Sequence, residues 1–256
     1  MVLFDLSFSF HFTAHLLYSP PCKDCLCRST GIQAEKAIHE NLYYIRQFVG
    51  SGGSVSQLKL DVSALKAGIG APSGIVQSSN GDLYFASRLS HSVLKVAFNK
   101  VDGTSVVTRI AGTGSMGKGD DDVPATESAL NSPYAVAVVE DVNGVVTAVL
   151  IADTNNDRIR KLDVSNGKIQ TIAGGGEITD DGVAAIDAKV LTPYHVYYDK
   201  ITGDIFITSY SGNSIQRVFG SNDTIATVAG KCTVSEGLGD EGLLLKPVSR
   251  SHASSQ

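Results

Sequence analysis

The chain has 256 residues, of which 43% are hydrophobic and 18% are charged, and its formal net charge is −5. These values describe a globular protein of one large or two small domains, and they exclude an intrinsically disordered chain. The negative charge disfavours nucleic acid and anionic membranes as main partners. After the apolar N-terminus, no stretch approaches the ~20 apolar residues that a membrane-spanning helix needs.

Residues 1–42 precede every repeat described below and form a separate N-terminal segment. The segment has no basic residue before Lys23, so it lacks the start of a secretory signal peptide. Cys22, Cys25 and Cys27 lie together, and the fourth cysteine is far away. A structural zinc site needs four ligands, usually in two separated pairs, so we predict no metal site. Four cysteines could form disulfides in an exported protein, and their number therefore leaves the compartment open.

Three segments of the chain align with one another, beginning at Pro72, Pro133 and Pro193, which are 61 and 60 residues apart. Apolar residues alternate within each segment, as in half-buried strands, and polar turns separate the runs. Each segment therefore predicts a four-stranded antiparallel meander. A lone meander leaves its faces and edges unprotected, whereas meanders arranged radially bury their faces against one another. The repeat thus predicts an all-β fold, a β-propeller.

The extent of the repeat sets the number of blades. The glycine signature that ends each segment occurs once more, faintly, at 46–53. An acidic and then alanine-rich connector links the segments, and we expect a short helical turn in it. We therefore predict about three full blades plus part of another over residues 43–232, then a degraded connector and tail at 233–256. Such a ring is incomplete. We favour a truncated propeller, and the alternative is an arc that a partner protein or a second copy of the chain completes.

The second segment carries three motifs in a fixed order: a connector ending in Asn-Ser-Pro-Tyr at 131–134, IADTNNDRIRK at 151–161 and TIAGGG at 171–176. In this order the motifs resemble NHL repeats. The resemblance implies a propeller of up to six blades that serves as a binding or scaffold module. One departure concerns Asp157, which takes the place of the histidine that the family motif usually has before Arg-Ile.

Asp153 and Arg158 lie on either side of a predicted turn, and the other repeats provide a comparison for them. Where the acid is replaced by serine, the base is replaced by serine as well. Such paired replacement is typical of a salt bridge across one turn, because removing one partner leaves the other unpaired. We therefore predict that Asp153 and Arg158 form a structural pair rather than a catalytic one.

The candidate binding residues are His195, Tyr194, Tyr197 and Tyr134, which lie on or near the first strands of the second and third repeats. First strands line the central channel of a propeller, where ligands often bind. We favour a non-enzymatic module for protein–protein interaction, with no catalytic residue, cofactor or metal. The alternative is a propeller hydrolase or lyase with a site in the channel near His195. RNA binding is disfavoured by the lack of a basic face.

Overall fold

The computed structural model describes residues 66–99 and 104–230. The predicted N-terminal segment at 1–42, with Cys22, Cys25 and Cys27, lies outside the described residues. So do the faint repeat signature at 46–53 and the predicted tail at 233–256.

The described residues form three antiparallel sheets, one for each aligned segment. The first blade consists of β1 (Pro72–Gln77), β2 (Leu83–Ser87), β3 (Ser92–Phe98) and β4 (Ser105–Ala111). The second blade consists of β5 (Val123–Pro124), β6 (Ala135–Glu140), β7 (Val146–Asp153), β8 (Arg158–Asp163) and β9 (Lys168–Gly174). The third blade consists of β10 (Val183–Ala184), β11 (Pro193–Tyr198), β12 (Ile205–Ser209), β13 (Ser214–Val218) and β14 (Thr224–Gly230).

The connectors contribute a fifth, two-residue strand to the second and third blades. In the second blade β5 pairs with the outer strand β9, and in the third β10 pairs with β14. Each connector therefore runs along the outer edge of the next blade before it returns to that blade's inner strand. An outer edge covered in this way has fewer unpaired backbone groups. The expected helical turn is present as a 3₁₀ helix at Ala185–Asp187.

The three blades stack face to face through two hydrophobic layers. One layer joins the first and second blades, with Tyr84 and Val93 packed among Val149 and Ile151. The other joins the second and third blades through residues such as Leu150. The inner strands β1, β6 and β11 lie next to one another in that order. The structure confirms the predicted all-β fold: an arc of four-stranded blades that forms part of a β-propeller.

Small residues let the inner strands converge. A side chain at Gly74 would overlap the backbone of Ala135 on the adjacent blade, and the Gly74 N–H donates to the Tyr134 carbonyl at 2.6 Å. The inner edge of the arc is therefore tightly packed between the first and second blades. Over residues 66–99 and 104–230, no helix is long and apolar enough to cross a membrane.

Candidate functional site: the outer face of the third blade

The side of each blade that faces the next blade is built from the same repeat positions. In the second blade these positions are occupied by alanine or aliphatic residues that are buried against the third blade. Alternation along β-strands places these side chains on a single face. The residues are Ala135, Ala137, Leu150, Ala152 and Ile159.

In the third blade the same positions carry larger or more polar side chains: His195, Tyr197, Phe206, Thr208 and Ile215. We call these five residues the third-blade face. Tyr197 is 57% exposed and Ile215 is 40% exposed. The Tyr197 and Phe206 rings lie opposite each other in the strand register, with centroids 6.3 Å apart. The third blade therefore presents an aromatic and aliphatic surface where the second blade has a buried interface.

The charges beside the third-blade face are paired within the blade. The Arg217 guanidinium lies 5.8 Å from the Phe206 ring centroid and 4.5 Å from that of Phe219. It also forms a salt bridge with the buried carboxylate of Asp204. Burial opposes ionisation of Asp204, but hydrogen bonds from the Gly220 N–H and from Arg217 outweigh it, so the pKa of Asp204 is lowered. The face is thus bordered by a neutralised pair rather than by a net charge.

The four candidate binding residues separate into two groups. His195 and Tyr197 lie on the third-blade face, at positions equivalent to the buried Ala135 and Ala137. Tyr134 and Tyr194 instead stack on each other across the second and third blades, with ring centroids 4.5 Å apart and an interplanar angle of 3°. The structure therefore does not gather the four residues into one pocket.

A third tyrosine, which the sequence analysis did not single out, extends the stack. The Tyr210 ring lies 4.5 Å from the Tyr194 ring at an interplanar angle of 7°, and Tyr210 is 64% exposed. Tyr210 follows β12, at the position that Thr154 holds in the second blade. There the buried Thr154 hydroxyl donates to the Pro193 carbonyl of the next blade at 2.8 Å. Tyr210 thus occupies a position at which the second blade contacts its neighbour.

A hydrogen bond that we call the latch links each pair of adjacent blades at the turn before the third long strand. At the first interface the Ser132 N–H donates to His91 Nδ1 at 3.1 Å. At the second interface the Thr192 N–H donates to Asp157 Oδ1 at 2.6 Å. Both acceptor residues have left-handed backbones, with φ of 45° for His91 and 55° for Asp157. Each donor N–H belongs to the residue just before the proline that opens the next blade.

The latch explains how Asp157 serves at the position that His91 holds in the first blade. Burial lowers the pKa of His91, and the nearby carboxylate of Asp153 only partly counteracts this. The lowered pKa favours the neutral imidazole, and in that form Nδ1 can accept the Ser132 N–H. A carboxylate oxygen accepts a backbone N–H equally well, so Asp157 can serve at the second interface.

Asp153 and Arg158 lie in hydrogen-bonding contact, with Arg158 Nε 3.1 Å from Asp153 Oδ2 and both side chains buried. Asp153 also accepts hydrogen bonds at 2.8 Å from the Asn131 N–H and from the Asn156 amide. One carboxylate thus ties the turn after β7 to the loop that precedes the blade. Burial raises the pKa of Asp153 although these donors and Arg158 favour the ionised form.

Arg160 is a second buried arginine that the sequence analysis missed. Its Nη2 donates to Asp121 Oδ1 at 2.7 Å and to the Asp120 carbonyl at 2.9 Å, so it fixes the connector against the blade. Gln216 holds the same position in the third blade and donates to the Lys189 carbonyl at 3.1 Å. A polar residue at this strand position in both blades is the sequence signal for the connector contact.

Within the described ranges, no group of three or more His, Cys, Asp or Glu side chains is arranged to hold a metal ion. The third-blade face and Tyr210 belong to the third blade, whereas the tyrosine stack also includes Tyr134 of the second blade.

Comparisons with known proteins support the fold. No family model matches the chain. The chain is 31% identical over 97 residues to Protein SUPPRESSOR OF QUENCHING 1, chloroplastic, of Arabidopsis thaliana, a match that covers 38% of this chain and 8% of that protein. A putative phosphatase from Bacteroides thetaiotaomicron has a similar structure, with a TM-score of 0.50 and 19% identity over 66% of this chain and 37% of its own.

An auxiliary nutrient binding protein from Bacteroides thetaiotaomicron aligns with a TM-score of 0.49 and 19% identity, over 60% of this chain and 36% of its own. The chain therefore spans much less than half the length of each of these proteins. The described residues belong to the class of β-propeller proteins, as an arc of three blades.

Proposed function

We propose that this chain is an NHL-type propeller segment that works as a non-enzymatic binding module, and that a partner protein docks on the third-blade face. The NHL assignment is supported by the fixed order of the three motifs in the second segment. The docking role is supported by one observation above all. Tyr197 and Ile215 are exposed at repeat positions where the second blade buries its side chains in an interface.

The chemistry of the third-blade face favours a protein partner. Aromatic side chains are enriched in protein–protein interfaces, and a contiguous exposed apolar patch commonly marks one. The adjacent Arg217 is neutralised by Asp204, so the surface lacks the unpaired positive charge that a nucleic acid would need. A partner with an aliphatic sheet face is complementary to it. The third blade offers such a surface to the second blade, through Val196 and Ile207.

The test is capture of partners from extracts of cells that naturally express the protein. Tyr197→Lys and Ile215→Lys each place a charge on the third-blade face, whereas Ile201→Lys places the same charge on a turn residue that is 89% exposed elsewhere in the blade. We expect both face variants to lose a partner that the wild type and Ile201→Lys retain. The partner is then purified and titrated against all four proteins.

The titration decides the question. A loss of affinity of tenfold or more in both face variants, with wild-type affinity in Ile201→Lys, supports the proposal. Equal affinity of all four proteins for every partner would show that binding occurs elsewhere on the chain.

A further inference from the structure

The third blade has residues at three sets of positions through which the second blade holds the third. It has the same face positions, and Tyr210 lies where Thr154 contacts the next blade's proline. It also has a residue at the latch position, Asn213. The face positions and the latch are in use at both interfaces of the arc, and the Thr154 position is in use at the second.

Asn213 is suited to act as a latch acceptor. Its backbone is left-handed, with φ of 47°, as it is in His91 and Asp157. Asparagine tolerates this conformation better than most residues, and its amide oxygen is a hydrogen-bond acceptor. Among the described residues, the exposed Asn213 side chain takes part in no hydrogen bond. The acceptors of the other two latches are both occupied.

We infer that the partner docks through a propeller blade of its own. The first strand of that blade opens with a proline, and the backbone N–H of the residue just before this proline donates to the Asn213 side chain. This inference rests on the proposed function and specifies the partner. The latch favours such a blade over other sheets because of the backbone of its donor residue. In the two latches of the arc the donors Ser132 and Thr192 each precede a proline and have φ of 51° and 48°. This backbone conformation is rare in other contexts.

The partner blade must also match the face. The surfaces that face backwards along the arc are aliphatic, as Val196, Ile207 and Val218 show in the third blade. Such a surface packs well against Tyr197, Phe206 and Ile215. The occupant is therefore a four-stranded blade with valine and isoleucine on the side that meets the third-blade face.

The experiment supplies such a blade at a defined place. A second copy of residues 175–230 is inserted after Gly230, with residues 231–256 following it. Gly174 and Gly230 are equivalent and have φ of 79° and 78°, so the junction preserves the repeat. The inserted copy brings its own equivalent of Thr192. Hydrogen exchange measured by NMR reports whether the N–H of that residue is protected.

Two substitutions of Asn213 separate the latch from general docking. Asn213→Gly removes the acceptor but keeps the left-handed backbone accessible, and Asn213→Asp keeps an acceptor. The matched control is the same change in the inserted copy's own equivalent of Asn213, which has no blade beyond it. We expect Asn213→Gly to speed exchange of the inserted Thr192 N–H about tenfold, as loss of one hydrogen bond to a fixed acceptor does. Asn213→Asp and the control are expected to leave exchange unchanged.

Failure of this inference and failure of the proposed function give different results. If Asn213→Gly leaves the exchange rate of the inserted N–H unchanged, or if Tyr197→Lys does so, the inserted blade does not dock as inferred. If the captured partner loses affinity for Tyr197→Lys but binds Asn213→Gly normally, docking on the face stands and the partner is not a latched blade. If the partner binds Tyr197→Lys normally, the proposed function itself is wrong.

Discussion

Replacing Asp153 by serine tests whether the buried charges of the second blade work as a unit. Serine is the residue that the first and third blades have at this position. In the wild type, Arg158 Nε lies 3.1 Å from Asp153 Oδ2. The substitution therefore leaves the buried guanidinium of Arg158 without its counter-charge. Breaking a buried pair in this way typically costs about 3–5 kcal/mol of the free energy of unfolding.

The double variant, Asp153→Ser with Arg158→Ser, recreates the pairing of the other two blades. It removes the stranded charge as well, so we expect a loss of only about 1–3 kcal/mol, mostly from hydrogen bonds to the Asn131 N–H and the Asn156 amide. Both variants also remove the carboxylate that lies 4.0 Å from Arg160 Nη1, but Arg160 keeps its salt bridge with Asp121. Burial raises the pKa of Asp153, so burying the ionised carboxylate has a cost of its own. This cost agrees with the small loss of stability that we expect in the double variant.

Urea unfolding followed by circular dichroism measures the two single variants and the double variant. The prediction is that the double variant is more stable than the sum of the single effects implies, by about 2 kcal/mol or more. The reasoning would be refuted if the losses of the two single variants were additive. It would also be refuted if Asp153→Ser alone cost less than about 0.5 kcal/mol, which is the range of an ordinary surface change.

Three further predictions follow from local contacts. The pKa of His91 lies below its ordinary 6.5, so the unfolded chain binds more protons than the folded chain in this pH range. The free energy of unfolding therefore falls as the pH drops below about 6.5. Thermal unfolding as a function of pH should show a smaller decrease for His91→Asn than for the wild type. Tyr194→Leu should lose about twice the stability that Tyr210→Leu loses in urea, since each stacked pair contributes about 0.5–1.5 kcal/mol. Gly176→Ala should lower the urea midpoint more than Gly167→Ala: Gly167 has φ of 71°, which strains any side chain, but at Gly176 the added Cβ would overlap the Asp187 backbone outright.

The blade meanders follow from the sequence because their signals are local. Alternating apolar residues and turn-forming pairs define strands such as β7 and β12, and the structure has them. The short strands β5 and β10 have no such signal, since two residues show no alternation. They exist only because a connector runs beside the outer strand of the next blade. Arg160 was missed for a related reason: the backbone carbonyl and the carboxylate that its Nη2 binds belong to the connector, about 40 residues earlier.

The candidate site could be predicted only in part. Tyr134 and Tyr194 hold the same repeat position, so their contact across two blades follows from the alignment. Tyr210 joins them from a turn, at a position where the second blade has threonine, and no periodicity marks it. Alternation along β11 places His195 and Tyr197 on one face of the strand. Which way that face points depends on how blades stack, and the buried equivalents in the second blade show that it points along the arc.

The latch shows how a repeat can change its residues and keep an interface. In histidine, aspartate and asparagine the accepting δ1 atom is separated from Cα by the same number of bonds, so all three place an acceptor at one distance from a left-handed backbone. His91 and Asp157 use this equivalence at the two interfaces of the arc. Among residues other than glycine, asparagine, aspartate and histidine are enriched at positive φ. The position therefore combines a backbone conformation with an acceptor, and Asn213 has both on the third blade, beyond which no further blade is described.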